Sequence, residues 1–246
     1  MKETVVIQES EEFLEMEMLS TTLSKLAFDI IYLPQDSLAY EACLLRESSL
    51  VAGDISFVEG AMELLGIPIP APKDYPDCLQ AFLKRKIWHS TFGALEKELE
   101  SNGSQPVFAK PSKRRKLFKG SQFQYPSDFV ELEHIPRDTP ILCSEIVPII
   151  SEFRVYVMNS KILAVENYDG DPSDSIDLDV VKTTISTLDA HQQSLAAYAI
   201  DFGLLSTGET ILVEMNDGYS IGTFYGIEAE DYTKFTLCRW QELSKQ

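Results

Sequence analysis

The sequence predicts a mixed α/β (α+β) chain, and three observations carry that class. Strand and helix signals alternate over roughly the first 75 residues, two long antiparallel hairpins dominate the C-terminal part, and 44% of the 246 residues are hydrophobic, an ordinary share for a buried core. No run of about 18 uncharged apolar residues occurs, so no membrane span is predicted.

Taken in order, Val5–Gln8 (VVIQ) reads as a strand, an amphipathic run from about Glu11 to Leu26 as a helix, and DIIYL as a strand closed by Pro34. SFVEGAMELLG is a helix ending at Gly66, and the four prolines of IPIPAPKDYP make a connector. AFLKRKIWHSTFGALEKELESNG reads as helical throughout, stopped by Asn102-Gly103, and PVFAKP as a short strand. A helical stretch near Asp177 to Leu188 interrupts the hairpins, and YTKFTLCRWQEL forms a last helix. The first 75 or so residues read as a small α/β unit.

A formal net charge of −18 opposes general affinity for nucleic acid or anionic membrane, because each approach to phosphate starts against repulsion. A local exception is the basic run Lys113, Arg114, Arg115, Lys116 and Lys119. The four cysteines are scattered without zinc-ligand spacing, and the acidic N-terminus lacks the apolar run of a signal peptide. The expectation is a cytoplasmic protein with reduced thiols. His89, His134 and His191 stand apart from any nucleophile, so side-chain nucleophilic catalysis is not predicted.

In SEFRVYVMNSKILAVENY, an Asn159-Ser160 turn predicts pairs whose numbers sum to 319. Phe153, Val155 and Val157 then share a core face, while Glu152, Arg154 and Tyr156 share the other, which a solvated side would satisfy. In YAIDFGLLSTGETILVEMND the turn at Thr207-Gly208, with two or four loop residues, predicts pairs summing to 415. Asp201 then faces Glu214, with Cβ atoms about 5 Å apart, and Asn216 lies one step along the same face. Opposite them Ile211, Val213 and Met215 form an apolar face. Two acids and an amide on one patch suit a divalent cation such as Mg²⁺. A protonated or merely exposed acid pair satisfies the same pattern.

The ordered motifs resemble the ATP-grasp enzymes, and in particular a phage and bacterial clade marked by one arginine and two lysines, distant relatives of the D-alanine:D-alanine ligases. The Asp201, Glu214, Asn216 spacing matches the magnesium ligands of such ligases. Glu145 in CSEIVPIISEFRV and Glu152 seven residues on match the adenine-side and ribose-binding glutamates. Lys110 in FAKP matches a phosphate-binding lysine, Arg85 stands where many members have their first lysine, and Lys116 or Lys119 supplies the other cation. Lys119 is preferred because Gly120 allows close backbone approach to phosphate. The resemblance implies an ATP-grasp fold, a nucleotide held between two α+β lobes after a small N-terminal α/β domain, and ATP with Mg²⁺ as cofactors. It further implies a division of the chain beyond residues 1–75 into residues 76–142 and 143–246, and adenine read by Glu145 and the backbone of Ile146 and Val147.

One departure stands out. Many of these ligases place an arginine two residues before the metal-binding Asp, where this chain has Ala199. Arg154, on the strand face of Glu152, is the candidate replacement, and with Lys119 it is the candidate catalytic cation. The implied activity is carboxylate–amine ligation through an acyl phosphate, with a small-molecule or peptide carboxylate and an amine acceptor as partners. Phosphotransfer and nucleotide binding without turnover remain as alternatives.

Overall fold

The computed structural model describes residues 2–10, 14–102, 105–112, 117–224 and 226–245. They form two compact units, Met1–Phe82 together with Ile149–Gln246, and Leu83–Pro148.

The first unit begins with β1 (Thr4–Gln8), α1 (Leu14–Lys25), β2 (Asp29–Leu33), α2 (Ala42–Glu47), β3 (Ser48–Ala52) and α3 (Ile55–Leu65). The strands make a parallel sheet of order β2-β1-β3. Val5, Val6 and Ile7 run without alternation because the central strand of a parallel sheet is buried on both faces. Asp54 caps α3 by accepting from Phe57 N (2.9 Å), and Gly66 ends it in the left-handed region at φ 71°. The sequence reading passed over β3, whose five residues follow directly on α2 with no turn residue between them.

The second unit holds β4 (Ile87–Thr91), α5 (Phe92–Asn102), β5 (Val107–Pro111), β6 (Ser121–Phe123) and β7 (Pro140–Glu145), after a short α4 (Gln80–Leu83) that begins in the first unit. Its sheet has the order β4-β7-β5-β6, every pair antiparallel. The continuous helix expected over residues 81–103 is therefore corrected. Lys84 at φ 52° breaks it, and Ile87–Thr91, with β-branched and aromatic residues, pairs with β7. Phe92, Phe118, Phe123 and Phe129 cluster beneath this sheet.

The first unit resumes with β8 (Ile149–Met158), β9 (Lys161–Asp169), α6 (Leu178–Ala190), β10 (Ala197–Leu205), β11 (Thr210–Asp217) and α7 (Ala229–Ser244). The strands form an antiparallel sheet of order β11-β10-β8-β9. Asn159 and Ser160, at φ 49° and 62°, make the two-residue turn between β8 and β9. The pairing Met158↔Lys161 follows it, but a bulge then shifts the register, so that Arg154 faces Glu166 instead of Val165. At the other hairpin the loop has three residues, with Gly208 at φ 87° and Leu205 N bonded to Glu209 O. Pairs next to that turn sum to 414, and a bulge at Val213 restores 415, which brings Asp201 opposite Glu214. The solvated face expected beside Glu152, Arg154 and Tyr156 is also corrected. Tyr156 is fully buried, its ring edge-on to Phe235 of α7 at 5.7 Å.

Candidate functional site

The central row of the C-terminal sheet carries one charged residue per strand: Glu166 on β9, Arg154 on β8, Asp201 on β10 and Glu214 on β11. Direct cross-strand pairing places these side chains on one face. Asp201 is 2% exposed and takes a two-point contact from Arg154, Nε to Oδ1 at 2.9 Å and Nη2 to Oδ2 at 2.8 Å. Burial pushes the Asp201 carboxyl above its ordinary range, Arg154 opposes it, and Glu214 and Glu152 add to the rise. Burial also disfavours the Arg154 cation, but the Asp201 carboxylate outweighs it and holds the guanidinium firmly charged.

Asn216, one step along β11, directs its amide nitrogen at Glu214 Oε1 (3.1 Å) and Asp201 Oδ2 (3.4 Å). The three predicted metal ligands therefore meet. Among the described residues no group of three or more His, Cys, Asp or Glu side chains is arranged to hold a metal, since this patch has two acids and an amide. The donor set nevertheless fits a hard cation. Two carboxylates already share one partially positive amide NH2 group, and a half-turn of the Asn216 amide would present its oxygen instead.

Glu152 lies two residues from Arg154 and accepts from the Tyr168 hydroxyl. Burial, with the Asp201 and Glu152 carboxylates, pushes the Tyr168 phenol up, so it stays a donor. Tyr168 stacks on the half-exposed Phe224 ring (5.1 Å, 20°), and Arg154 Cζ lies 5.6 and 5.4 Å from the two ring centroids. Pattern reading missed Tyr168, Phe224 and Glu166.

The second unit holds the remaining candidates. Arg85 donates from Nε to Ser144 Oγ (3.0 Å) and from Nη1 to Leu83 O (3.2 Å). Glu145 makes one backbone and one side-chain bond to this segment: its N donates to Lys86 O (3.0 Å) and its Oε2 accepts from Lys86 N (2.8 Å). Ile146 is exposed and Val147 half-buried in the short connection after β7. Lys110 lies on β5 beside Gly120, where a Cβ would sit 2.6 Å from Phe108 Cζ and 3.3 Å from Lys110 Cβ. A side chain at 120 would push against the Phe108 ring, and Lys119, immediately before it, is exposed. Lys113 to Lys116 lie outside the described residues, so the choice between Lys116 and Lys119 is not made by geometry. His89, His134 and His191 are all exposed.

Residues 82–235, more than half of the chain, match the ATP-grasp domain of R2K clade family 2. No curated protein sequence gives a significant match. Solved structures resemble the whole chain at low identity. A D-alanine–D-alanine ligase from Bacillus anthracis complexed with ATP aligns with TM-score 0.60 at 12% identity, covering 100% of this chain and 98% of its own. The macrocyclase MdnC from Microcystis aeruginosa MRC, bound with precursor peptide MdnA, gives 0.56 at 13% identity, covering 99% of this chain and 100% of its own. N5-carboxyaminoimidazole synthetase from Staphylococcus aureus gives 0.60 at 11% identity, covering 100% of this chain and 78% of its own. The chain has the ATP-grasp fold, and it belongs to the ATP-grasp domain family, R2K clade family 2.

Proposed function

We propose that the chain is an ATP-dependent, magnesium-requiring ligase joining a carboxylate to an amine on amino-acid or peptide substrates. The observation that carries this reading is the meeting of Asp201, Glu214 and Asn216 on one sheet face of an ATP-grasp chain. Magnesium held there would neutralise phosphate charge as the terminal phosphoryl group is transferred. In this reading Arg85, Lys110 and Lys119 take the triphosphate, and Glu145 with the backbone of Ile146 and Val147 takes adenine. Glu152 takes the ribose hydroxyls. Arg154 holds Asp201 in place, and its N–H groups not bonded to Asp201 or Gly222 O are left for the transferred phosphate or a substrate carboxylate. The substrate carboxylate attacks phosphorus, ADP leaves, and the amine then displaces phosphate from the acyl carbon. The structural neighbours, a macrocyclase bound with its precursor peptide and a D-alanine–D-alanine ligase, support that substrate class.

Calorimetry with ATP, with and without Mg²⁺, tests the site on the native chain and on Glu214→Ala. Magnesium-dependent binding should be clear in the first and about tenfold weaker or more in the second, the loss of one charged ligand interaction. Absence of any magnesium dependence in the native chain would overturn the assignment. Mass spectrometry of products formed from amino-acid and peptide pools then tests the chemistry. A stable phosphorylated product would indicate a kinase, and bound ATP without turnover a binding protein.

A further inference from the structure

Glu166 has no part in the reaction above, yet it is 3% exposed at the end of the charged row. Its carboxylate is committed to a loop. Oε1 accepts from the amide of Phe224 (2.9 Å), from the amide of Gly226 and from Thr223 Oγ1 (3.4 Å). Oε2 lies 2.8 Å from the Tyr156 hydroxyl, which is also 3.0 Å from Gly222 O. Arg154, while gripping Asp201, donates from Nη1 to that same Gly222 O at 3.1 Å. A Cβ on Gly226 would sit 2.5 Å from Glu166 Cγ, so the backbone rests directly on this side chain. One guanidinium thus ties the loop to the metal-ligand candidate, and one buried carboxylate fixes the loop's far end.

Burying a carboxylate is costly unless hydrogen bonds satisfy it, and an apolar residue could fill the same place in the sheet at less cost. The Glu166 side chain adds nothing to the sheet's own ladder. Its side-chain bonds all go to groups that set where Gly222 to Phe224 and Gly226 lie. We propose that Glu166 is a positioning residue that holds this segment beside the Asp201–Glu214–Asn216 face as a preset wall for the amine acceptor. The proposal rests on the ligase reading.

Hydrogen exchange at the Phe224 and Gly226 amides, Mg·ATP calorimetry, and ADP release stimulated by an amino-acid and dipeptide mixture are measured on the native chain, Glu166→Ala and Glu166→Gln. In Glu166→Ala exchange at both amides should accelerate about 10- to 100-fold, the loss of charge-assisted bonds. Mg·ATP affinity should stay within about twofold while stimulated ADP release falls about tenfold or more, a split that general loss of folding does not produce. Glu166→Gln, which keeps one carbonyl acceptor, should restore protection and most of the stimulation. Should Glu166→Ala fail to fold, Gly226→Ala, which displaces the same carboxylate, gives the same comparison. Unchanged stimulation in a variant whose amides have lost protection overturns the proposal, as does a parallel fall in nucleotide affinity. A native chain that binds Mg·ATP but responds to no amine removes the ligase reading and the acceptor role with it, and exchange then reports on the loop clamp alone.

Discussion

Replacing Arg154 by Met removes the cation that grips Asp201 and leaves a carboxylate, 2% exposed, facing Glu214. Breaking one side of a buried pair costs about 3–5 kcal/mol. An independent bound agrees with that range. Asp201 can escape by taking a proton, and at pH 7 this costs about 4 kcal/mol against an ordinary Asp pKa. The lost bond to Gly222 O adds about 1 kcal/mol. For a chain of this length each kcal/mol moves the melting midpoint by about 2–4 °C, so the deficit should be about 8–24 °C at pH 7. The escape becomes cheaper by about 1.4 kcal/mol per unit as pH falls, because the folded variant binds a proton that the unfolded chain does not. The deficit should therefore shrink markedly by pH 5. Thermal melts of the native chain, Arg154→Met and the double variant Arg154→Met/Asp201→Asn make the test, with the double variant recovering most of the loss. A single variant within about 2 °C of the native chain at pH 7, or a deficit that does not shrink at pH 5, refutes the argument.

Arg239 is buried against Asp217 (2.6 and 2.5 Å) and Glu242 (2.5 Å), joining the end of β11 to α7. Arg239→Met should lose about 3–5 kcal/mol in urea unfolding, with Asp217→Asn in the same chain recovering much of it. Lys110→Met should weaken ATP binding about tenfold or more in calorimetry, as expected for a charged phosphate contact. Cys43 is exposed, whereas burial pushes the Cys143 thiol up to about 12. Alkylation at pH 8 followed by peptide mass spectrometry should modify Cys43 first and leave Cys143 unmodified until the protein unfolds.

The Asp201–Glu214 pairing was legible in the sequence, but for reasons that partly cancel. A loop of two or four residues predicts it directly, and the real three-residue loop spoils it, until a bulge at Val213 restores the register. Bulges follow from how a sheet must twist and not from alternation, so the other hairpin gave no such rescue. There the bulge moves Arg154 from Val165 to Glu166, and this hid the residue that clamps the loop. The short strand Ile87–Thr91 was lost inside a longer helical pattern because its existence depends on pairing with β7, a partner about fifty positions away. Glu145 and Arg85 were found by motif order, while their bonds to Lys86 N and Ser144 Oγ depend on that same pairing and no local pattern encodes them.

Ala199 is where this chain departs from the ligases it resembles, and the sheet gives the reason. Its side chain is fully buried, and its cross-strand partners are Tyr156 and Asn216. Tyr156 must stay because its hydroxyl serves Glu166 and Gly222 O, and Asn216 must stay beside the two acids. An arginine at 199 would have to displace one of them, so Ala199→Arg should unfold the unit or abolish magnesium-dependent nucleotide binding, checked by melting and calorimetry. Arg154 sits two positions along the row and one strand over, on the same face, already bonded to Asp201. On the proposed reading Arg154 stands in for the cation missing at 199, and the departure there is then compatible with turnover.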